Sequence, residues 1–146
     1  MYTVVDVTSN VDLWFKKDPV RPELTPDFRQ KSGRYVFALM DEQSSAKAFC
    51  CFAICNKVPR NVKELDKFTT SKEEGFLVAV PYSVWRYEKG GGYRIVNSLI
   101  PIFKNRFKAS SVVTLSPATS MAKKFHLRNG ATIDFSSDEF VNYRYI

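Results

Sequence analysis

The chain has 146 residues, of which 45% are hydrophobic and 14% are aromatic. This length and composition predict one folded domain spanning residues 1–146 and are unlike those of a disordered chain. No apolar run approaches the roughly 20 residues that a membrane-spanning helix needs. The first residues lack the basic start and the apolar stretch of a signal peptide, so we expect a cytoplasmic protein.

The charge of the chain indicates the kind of partner. Lysine and arginine number 22 against 15 aspartate and glutamate residues, which gives a formal net charge of +7. This bias favours an anionic partner, and nucleic acid, a membrane surface and coenzyme A all qualify. The basic residues are spread along the chain and no nucleic-acid-binding motif is present, so nucleic acid is not the partner that we expect.

The three cysteines, Cys50, Cys51 and Cys55, lie in one apolar stretch. An odd, clustered set does not predict a disulfide framework. Structural zinc needs four ligands and the chain has a single histidine, so we expect no metal site either. We interpret the three thiols as buried side chains of a strand.

The first half of the chain predicts a loop followed by strands. Three prolines make residues 17–26 a loop. Arg34–Met40 and Ala48–Cys55 are typical of the two strands of a hairpin. Pro59–Leu65 predicts a short helix with proline in its first turn. Phe76–Trp85 is a nearly continuous apolar run, as expected of a central buried strand.

A glycine turn, Gly90–Gly92, follows this strand and leads into a helical pattern. Apolar residues recur there at helical spacing, at Ile95, Leu99, Ile102, Phe103 and Phe107. Pro101 falls inside the pattern and is expected to kink or split the helix.

The last third of the chain predicts a strand at Ser111–Leu115 and then a helix at Pro117–Lys124, which Ser116 would cap. Residues 131–135 and 140–146 are typical of a closing hairpin. Strands and helices alternate along the whole chain, so the expected fold class is α+β. This order of elements suits several folds.

The glycine turn is the first candidate binding site. Gly90, Gly91 and Gly92 lack side chains, so their backbone N–H groups can converge on a phosphate, and the helix starting near Tyr93 adds its positive end. A plain flexible turn is the alternative, and three glycines alone do not decide between the two.

His126, the only histidine of the chain, is the second candidate. Imidazole suits proton transfer near neutral pH because its ordinary pKa is about 6.5. A single histidine is more often structural than catalytic, and Ser116 has an ordinary use as a helix cap. The residues alone therefore leave both interpretations open.

Four motifs now stand out by their order along the chain. Phe125–Ala131 resembles the Phe-His-Leu-x-Asn-Gly-Ala signature of the malonyl-CoA decarboxylase family. Leu115–Pro117 resembles the Leu-Ser-Pro motif of that family, and Asn142–Tyr145 its C-terminal Asn-Tyr-Arg-Tyr. Pro81–Ser83 is similar to the Phe-Tyr-Ser that ends its central strand. The resemblance covers roughly residues 34–146 and concerns the C-terminal, GNAT-like catalytic domain of the family.

The resemblance implies a GNAT-type fold, a mixed sheet flanked by helices. In that fold the strand, glycine turn and helix bind the pyrophosphate of coenzyme A, which here implicates Gly90, Gly91, Gly92 and Tyr93. It also implies decarboxylation of malonyl-CoA or a related acyl-CoA to acetyl-CoA, with no cofactor beyond the coenzyme A moiety of the substrate. The catalytic residues of the family fall on His126, Ser116, Ser83 and Tyr145. We expect Ser116 and His126 to form the central pair, and Ser83 and Tyr145 to hold the carboxylate or thioester oxygen.

The chain departs from the family pattern in three places. It has no counterpart of the family's helical N-terminal domain, which leaves homo-oligomerisation open. The segments between Pro117 and Phe125 and between Ala131 and Asn142 are shorter, and Cys51 stands where the family has an acidic residue. Two alternatives therefore remain: GNAT-type transfer of an acetyl group from acetyl-CoA to an amine, and non-catalytic binding of an acyl-CoA.

Overall fold

A computed structural model of the chain describes residues 1–13, 18–87 and 89–146. These residues form an α+β structure in which helices lie against a mixed sheet. In chain order the elements are β1 Thr3–Asp6, a 3₁₀ segment Thr8–Leu13, α1 Pro26–Arg29, β2 Arg34–Met40, β3 Ala46–Cys55, α2 Val62–Phe68, β4 Val78–Arg86, α3 Gly91–Asn105, β5 Ser111–Val112, β6 Ser116–Pro117, α4 Ser120–Arg128, β7 Thr132–Ser136 and β8 Phe140–Arg144.

The main sheet has the strand order β1-β2-β3-β4-β5. Its first four strands are antiparallel, and the predicted hairpin of β2 and β3 is confirmed. The turn between them is closed by the Asp41 carboxylate, which accepts hydrogen bonds from the backbone N–H groups of Gln43 and Ser45. β3 lies between β2 and β4 and is buried over most of its length, which is why its sequence is apolar at every position from Ala48 onward.

β4 and β5 run parallel, but only over a short distance. The strands pair at Val78 with Ser111 and at Ala79 with Val112. Just beyond these pairs, the backbone N–H groups of Val113 and Leu115 donate to the carbonyls of Ala79 and Pro81. The Leu115 carbonyl then accepts a hydrogen bond from Arg21 Nη2 at 3.0 Å instead. Beyond this point the chain turns away from β4 into β6.

β6 belongs to a second, three-stranded sheet of order β6-β8-β7. The predicted closing hairpin corresponds to β7 and β8 and is confirmed. The two sheets are joined because the end of β8 pairs with residues 112–114: the Thr114 N–H donates to the Tyr143 carbonyl, and the Tyr145 N–H to the Val112 carbonyl. This junction holds the C-terminal residues against the edge of the main sheet.

The main sheet separates two apolar cores. The loop-side core is covered by the N-terminal segment and α2, and its members include Val36, Ala38, Phe49, Cys51, Leu65, Tyr82, Trp85 and Leu115. The α3-side core is covered by α3, and its members include Phe37, Leu39, Cys50, Phe52, Ile95, Leu99, Phe103 and Val112. All three cysteines are buried free thiols of β3, as the sequence predicted.

Several predicted element boundaries are wrong. α2 begins at Val62, because Asn61 caps it by accepting the Glu64 N–H, so Pro59 precedes the helix. α4 begins at Ser120 with Thr119 as its cap, and Ser116 lies in β6. β1 was not predicted, and Lys17, the first residue of the predicted loop, lies outside the described residues.

α3 continues through Pro101 as one helix, so of the two predicted effects, a kink or a split, the split is wrong. Proline removes one backbone N–H from the helical hydrogen bonds. The helix remains one element because residues on both sides of the proline, Leu99 and Phe103, are buried in the same α3-side core.

Phe52 is the centre of an aromatic cluster in the α3-side core. Its ring contacts those of Tyr35, Phe37, Phe103 and Phe107 at centroid distances of 4.7–5.5 Å. Replacement by alanine leaves a large cavity, so we expect Phe52→Ala to lower the free energy of unfolding by about 3–5 kcal/mol. Urea unfolding followed by tryptophan fluorescence measures this loss.

The matched control is Phe76→Ala, because Phe76 is 50% exposed. Its removal should change the free energy of unfolding by about 0.5 kcal/mol or less. Equal effects of the two substitutions would contradict the assignment of Phe52 to the centre of the core.

Candidate active site

His126 brings together residues from three elements that are distant in sequence. Its Nε2 lies 3.1 Å from Ser116 Oγ, and its Nδ1 lies 2.7 Å from Tyr145 Oη. His126 and Ser116 are buried, and Tyr145 is half-buried. Three of the four predicted catalytic residues therefore form one hydrogen-bonded group, which we call the histidine cluster.

The second sheet explains why the cluster forms. Ser116 in β6 is opposite Val141 of β8, and Tyr145 directly follows the end of β8. α4 starts after a short turn and presents His126 to this sheet, where its ring stacks on that of Tyr143 at 4.7 Å between centroids and 25° between planes. The ring is thus fixed by packing as well as by its two hydrogen bonds.

Thr114 is a fourth member of the cluster that sequence reasoning missed. Its Oγ1 lies 2.8 Å from Ser116 Oγ and accepts a hydrogen bond from the Tyr143 N–H at 3.1 Å. Thr114 and Ser116 are two residues apart, so the alternation of a strand puts both side chains on one face. That spacing, Thr-x-Ser, is the signal that could have identified it.

Burial sets the protonation of the cluster. It lowers the pKa of His126 to about 4, so the imidazole is neutral near pH 7. Burial also raises the pKa of the Tyr145 phenol above its ordinary value, which the nearby Asn129 amide partly offsets. No carboxylate in the described residues hydrogen-bonds to His126, so the cluster consists of uncharged groups at neutral pH.

Asn129 adds a buried donor beside the cluster. It ends α4, and its Nδ2 is buried with no hydrogen-bond partner in the described residues. Buried polar atoms nearly always have a partner in folded proteins. This donor lies next to the Tyr145 hydroxyl and partly offsets the burial that raises its pKa.

The glycine turn lies beside the helix that carries His126. Gly90 has φ +82°, a conformation that favours glycine. A Cβ on Gly91 would lie 3.0 Å from the Lys47 carbonyl oxygen, and one on Gly92 would lie 2.7 Å from the ring of Phe125. A side chain at position 92 would therefore have to displace the Phe125 ring of α4.

The N-terminus of α3 has the properties of an anion site. No side chain caps it, and its first turn contains no acidic residue. The first backbone N–H groups of a helix have no intrahelical acceptor, and the helix dipole makes this end positive. Tyr93, predicted to line the site, is 55% exposed there.

Ser83, the remaining predicted catalytic residue, is not in the histidine cluster. Its hydroxyl donates to Asp18 Oδ2 at 2.7 Å, and its strand partner Cys51 belongs to the loop-side core. A register shift accompanies this placement: Cys51 and Phe52 are opposite Ser83 and Pro81, so Tyr82 is an extra residue in β4. The side chain of Ser116 lies on the opposite face, because its neighbour Leu115 is in the loop-side core.

Asp18 and Arg29 form a fully buried ion pair that sequence reasoning also missed. Arg29 Nη1 donates to Asp18 Oδ2 at 2.8 Å, and both side chains have no exposed area. Arg29 also lies 3.2 Å from Cys51 Sγ, where burial raises the pKa of the thiol to about 12. A carboxylate thus lies near position 51 although residue 51 is itself a cysteine.

Residues 1–13, 18–87 and 89–146 lack two further features. These residues contain no group of three or more histidine, cysteine, aspartate or glutamate side chains that could hold a metal ion. Within the same residues, no helix has the length and apolar character required to cross a bilayer.

Comparison with known proteins identifies the fold. No family model and no curated protein matches the sequence. Among solved structures, malonyl-CoA decarboxylase from Cupriavidus metallidurans aligns with a TM-score of 0.69 at 14% identity, over 99% of this chain and 61% of that one. The chain thus spans about three fifths of that decarboxylase.

Two acetyltransferases align over nearly their whole length. N-acetyltransferase PseH from Campylobacter jejuni, in complex with acetyl coenzyme A, has a TM-score of 0.62 at 14% identity, over 99% of this chain and 97% of that one. NAA60 from Arabidopsis thaliana, in complex with acetyl-CoA, has a TM-score of 0.63 at 12% identity, over 99% and 96%. The predicted GNAT-type α+β fold is confirmed.

The buried imidazole makes stability depend on pH. Its pKa is about 4 in the folded protein and about 6.5 in an unfolded chain. Between these values the unfolded chain binds more protons, so acidification from pH 7 to pH 4 should cost about 3 kcal/mol through this residue. Urea unfolding measures how much free energy of unfolding each protein loses between pH 7 and pH 4. The cost is the loss in the unmodified protein minus the loss in His126→Gln.

Carboxylates titrate in the same range, and they contribute equally to both proteins. Because the chain has one histidine, NMR titration of its ring gives the folded pKa directly. A ring pKa of 6 or above would contradict the burial of the imidazole.

Proposed function

We propose that the chain is an acyl-CoA enzyme that removes CO₂ from malonyl-CoA or a closely related thioester. The observation that carries the proposal is the buried, neutral His126, hydrogen-bonded on both ring nitrogens to hydroxyl groups. The order of the family motifs along the chain and the likeness to a decarboxylase domain support it.

The reaction requires stabilisation of one anion and delivery of one proton. The bond between C2 and the carboxylate breaks, CO₂ leaves, and its electron pair passes into the thioester to form an enolate. A proton is then added at C2 to give acetyl-CoA, and the overall reaction consumes one proton from solvent. The thioester carbonyl of the substrate accepts the electron pair of the broken bond, so the substrate itself is the electron acceptor of the reaction.

The histidine cluster offers what this reaction needs. Uncharged donors in a desolvated site stabilise a developing oxyanion strongly. The half-buried Tyr145 hydroxyl is such a donor, and the buried Asn129 amide lies beside it. Ser116 and His126 form the buried side and support the Tyr145 hydroxyl. In this proposal Ser83 stabilises Asp18 and does not contact the substrate.

The glycine turn would bind the coenzyme A moiety. The N-terminus of α3 has no side-chain cap, so its first backbone N–H groups can donate to a pyrophosphate. The residues that would make this contact are Gly91, Gly92 and Tyr93. Gly92 touches Phe125, the residue before His126, so a coenzyme A bound here would enter the same side of the molecule as the histidine cluster. Acetyl-CoA complexes of two proteins of the same fold support this part of the proposal.

The test of the reaction is formation of acetyl-CoA from malonyl-CoA by the purified protein. We expect His126→Ala to lower turnover at least about 10²-fold, because it removes the group that holds the reacting hydroxyl. Binding of coenzyme A, measured by calorimetry, should change little. Met121→Ala is the matched control, since Met121 lies on the same helix and is 81% exposed.

Turnover by His126→Ala at the unmodified rate would contradict the role of the histidine cluster. Binding of malonyl-CoA without any acetyl-CoA production by the unmodified protein would contradict decarboxylation and retain the acyl-CoA site.

The test of the coenzyme A site uses a matched pair at the glycine turn. Asparagine and aspartate both tolerate a positive φ, and a Cβ on Gly90 would meet no atom within 4 Å. Gly90→Asp places a negative charge beside the expected pyrophosphate, so we expect the Kd for coenzyme A to rise about tenfold or more at low salt. Gly90→Asn should bind coenzyme A nearly as well as the unmodified protein does. Equal Kd values for the two variants would contradict the assignment of the coenzyme A site to the glycine turn.

The second candidate function is N-acyl transfer from acetyl-CoA. The observation that favours it is the fraction of each solved structure that aligns with this chain. That fraction is 97% for PseH and 96% for NAA60, but 61% for the decarboxylase. Release of free coenzyme A thiol from acetyl-CoA only in the presence of a mixture of amine acceptors, with no activity toward malonyl-CoA, would decide for transfer.

A further inference from the structure

The hydroxyl of Thr114 is fully buried and has only one acceptor for its hydrogen. Thr114 is 1% exposed, and its Oγ1 makes two hydrogen bonds. In the first it accepts the backbone N–H of Tyr143, which leaves the hydroxyl hydrogen unused. The second partner, Ser116 Oγ at 2.8 Å, is therefore the one place where that hydrogen can be donated within the described residues.

This constraint orders the rest of the cluster. If Thr114 donates to Ser116, the Ser116 hydroxyl must donate to its other partner, His126 Nε2. Nε2 is then an acceptor, so the proton of the neutral ring is on Nδ1, which donates to Tyr145 Oη. The Tyr145 O–H is left free to donate beyond the cluster.

The opposite order is unfavourable at its buried end. There Tyr145 donates to Nδ1, Nε2–H donates to Ser116, Ser116 donates to Thr114, and the Thr114 O–H has no acceptor. A buried, unsatisfied hydroxyl is costly, whereas the half-buried Tyr145 can find water or a ligand. The buried hydroxyl of Thr114 therefore decides the donor-to-acceptor direction of all the hydrogen bonds in the cluster.

We propose that Thr114 is a positioning residue that directs this hydrogen-bond chain, so that His126 carries its proton on Nδ1 and Tyr145 presents its O–H to the bound thioester. The hydrogen-bond order stands on the geometry alone. The role of Tyr145 toward a thioester rests on the proposed function.

The single histidine makes the test direct, because every imidazole signal of the chain comes from His126. Labelling histidine with ¹⁵N and recording two-bond ¹H–¹⁵N correlations at pH 7 identifies the protonated nitrogen. We expect Nδ1–H in the unmodified protein and in Thr114→Ser, which keeps the donor. In Thr114→Val, which lacks it, we expect the proton to move to Nε2 in a large fraction of the molecules. Thr114→Ala gives the same test if the valine variant does not fold.

Two results would overturn the proposal: Nε2–H in the unmodified protein, or Nδ1–H retained in full by both Thr114→Val and Thr114→Ala. These spectra need no substrate, so they stand whether or not malonyl-CoA is turned over.

Where turnover is present, Thr114→Val should lower kcat on the order of 10²-fold with little change in KM. Thr114→Ser should stay within a few-fold of the unmodified rate. Unmodified kcat in the valine variant together with a moved proton would contradict the role given to Tyr145.

Discussion

The parting of β4 and β5 is the constraint on which the architecture depends. Two parallel strands that stop pairing leave backbone groups inside the protein, and such groups must be satisfied. Here the Leu115 carbonyl is taken by Arg21, a side chain from nearly a hundred residues earlier in the chain. The same parting frees Ser116 to join β8 in the second sheet. Without it, the strand would continue beside β4 and the histidine cluster could not form.

The N-terminal segment is therefore buried against the loop-side face of the main sheet. The Asp18 carboxylate receives hydrogen bonds from Arg29, from Ser83 and from the backbone N–H groups of Val20 and Arg21. A buried ion pair is weak evidence of stability by itself, since desolvation offsets much of its attraction. Its structural effect is to fix Arg21 in place on the loop-side face. The histidine cluster lies on the opposite face, where Gly92 of α3 contacts Phe125 of α4.

The sequence predicted most of the fold because the signals were local. Alternation, apolar runs and turn residues identified β2, β3, β4 and the closing hairpin, and the glycine turn was placed correctly at the start of α3. The start of α4 was predicted wrongly: the sequence favours Ser116 as its cap, and Thr119 is the residue that caps it. Tertiary pairing of Ser116 with Val141 decided between them.

The site was predicted in part, and the missing parts are long-range. Ordered motifs identified Ser116, His126 and Tyr145, whose hydrogen bonds the structure contains. They also suggested Ser83, which lies next to a register shift at Pro81 and Tyr82 and hydrogen-bonds to Asp18. A proline inside a strand often accompanies such a shift, but it does not say which face the neighbouring side chains take. Asp18 is 65 residues from Ser83, and no periodic pattern relates two such positions. Thr114 was within reach of sequence reasoning, because it needed only the two-residue period of a strand.

The contact between Gly92 and Phe125 gives the two helices a mechanical dependence on each other. Any side chain at position 92 would have to displace the ring of Phe125, which is covalently next to His126. Enlarging position 92 is therefore compatible with an undisturbed imidazole only if position 125 becomes smaller at the same time. The two positions are epistatic: the effect of a change at one depends on the residue at the other, and a double-mutant cycle on stability would measure their coupling. Through this contact, the helix that begins at the glycine turn sets the volume available beside the histidine.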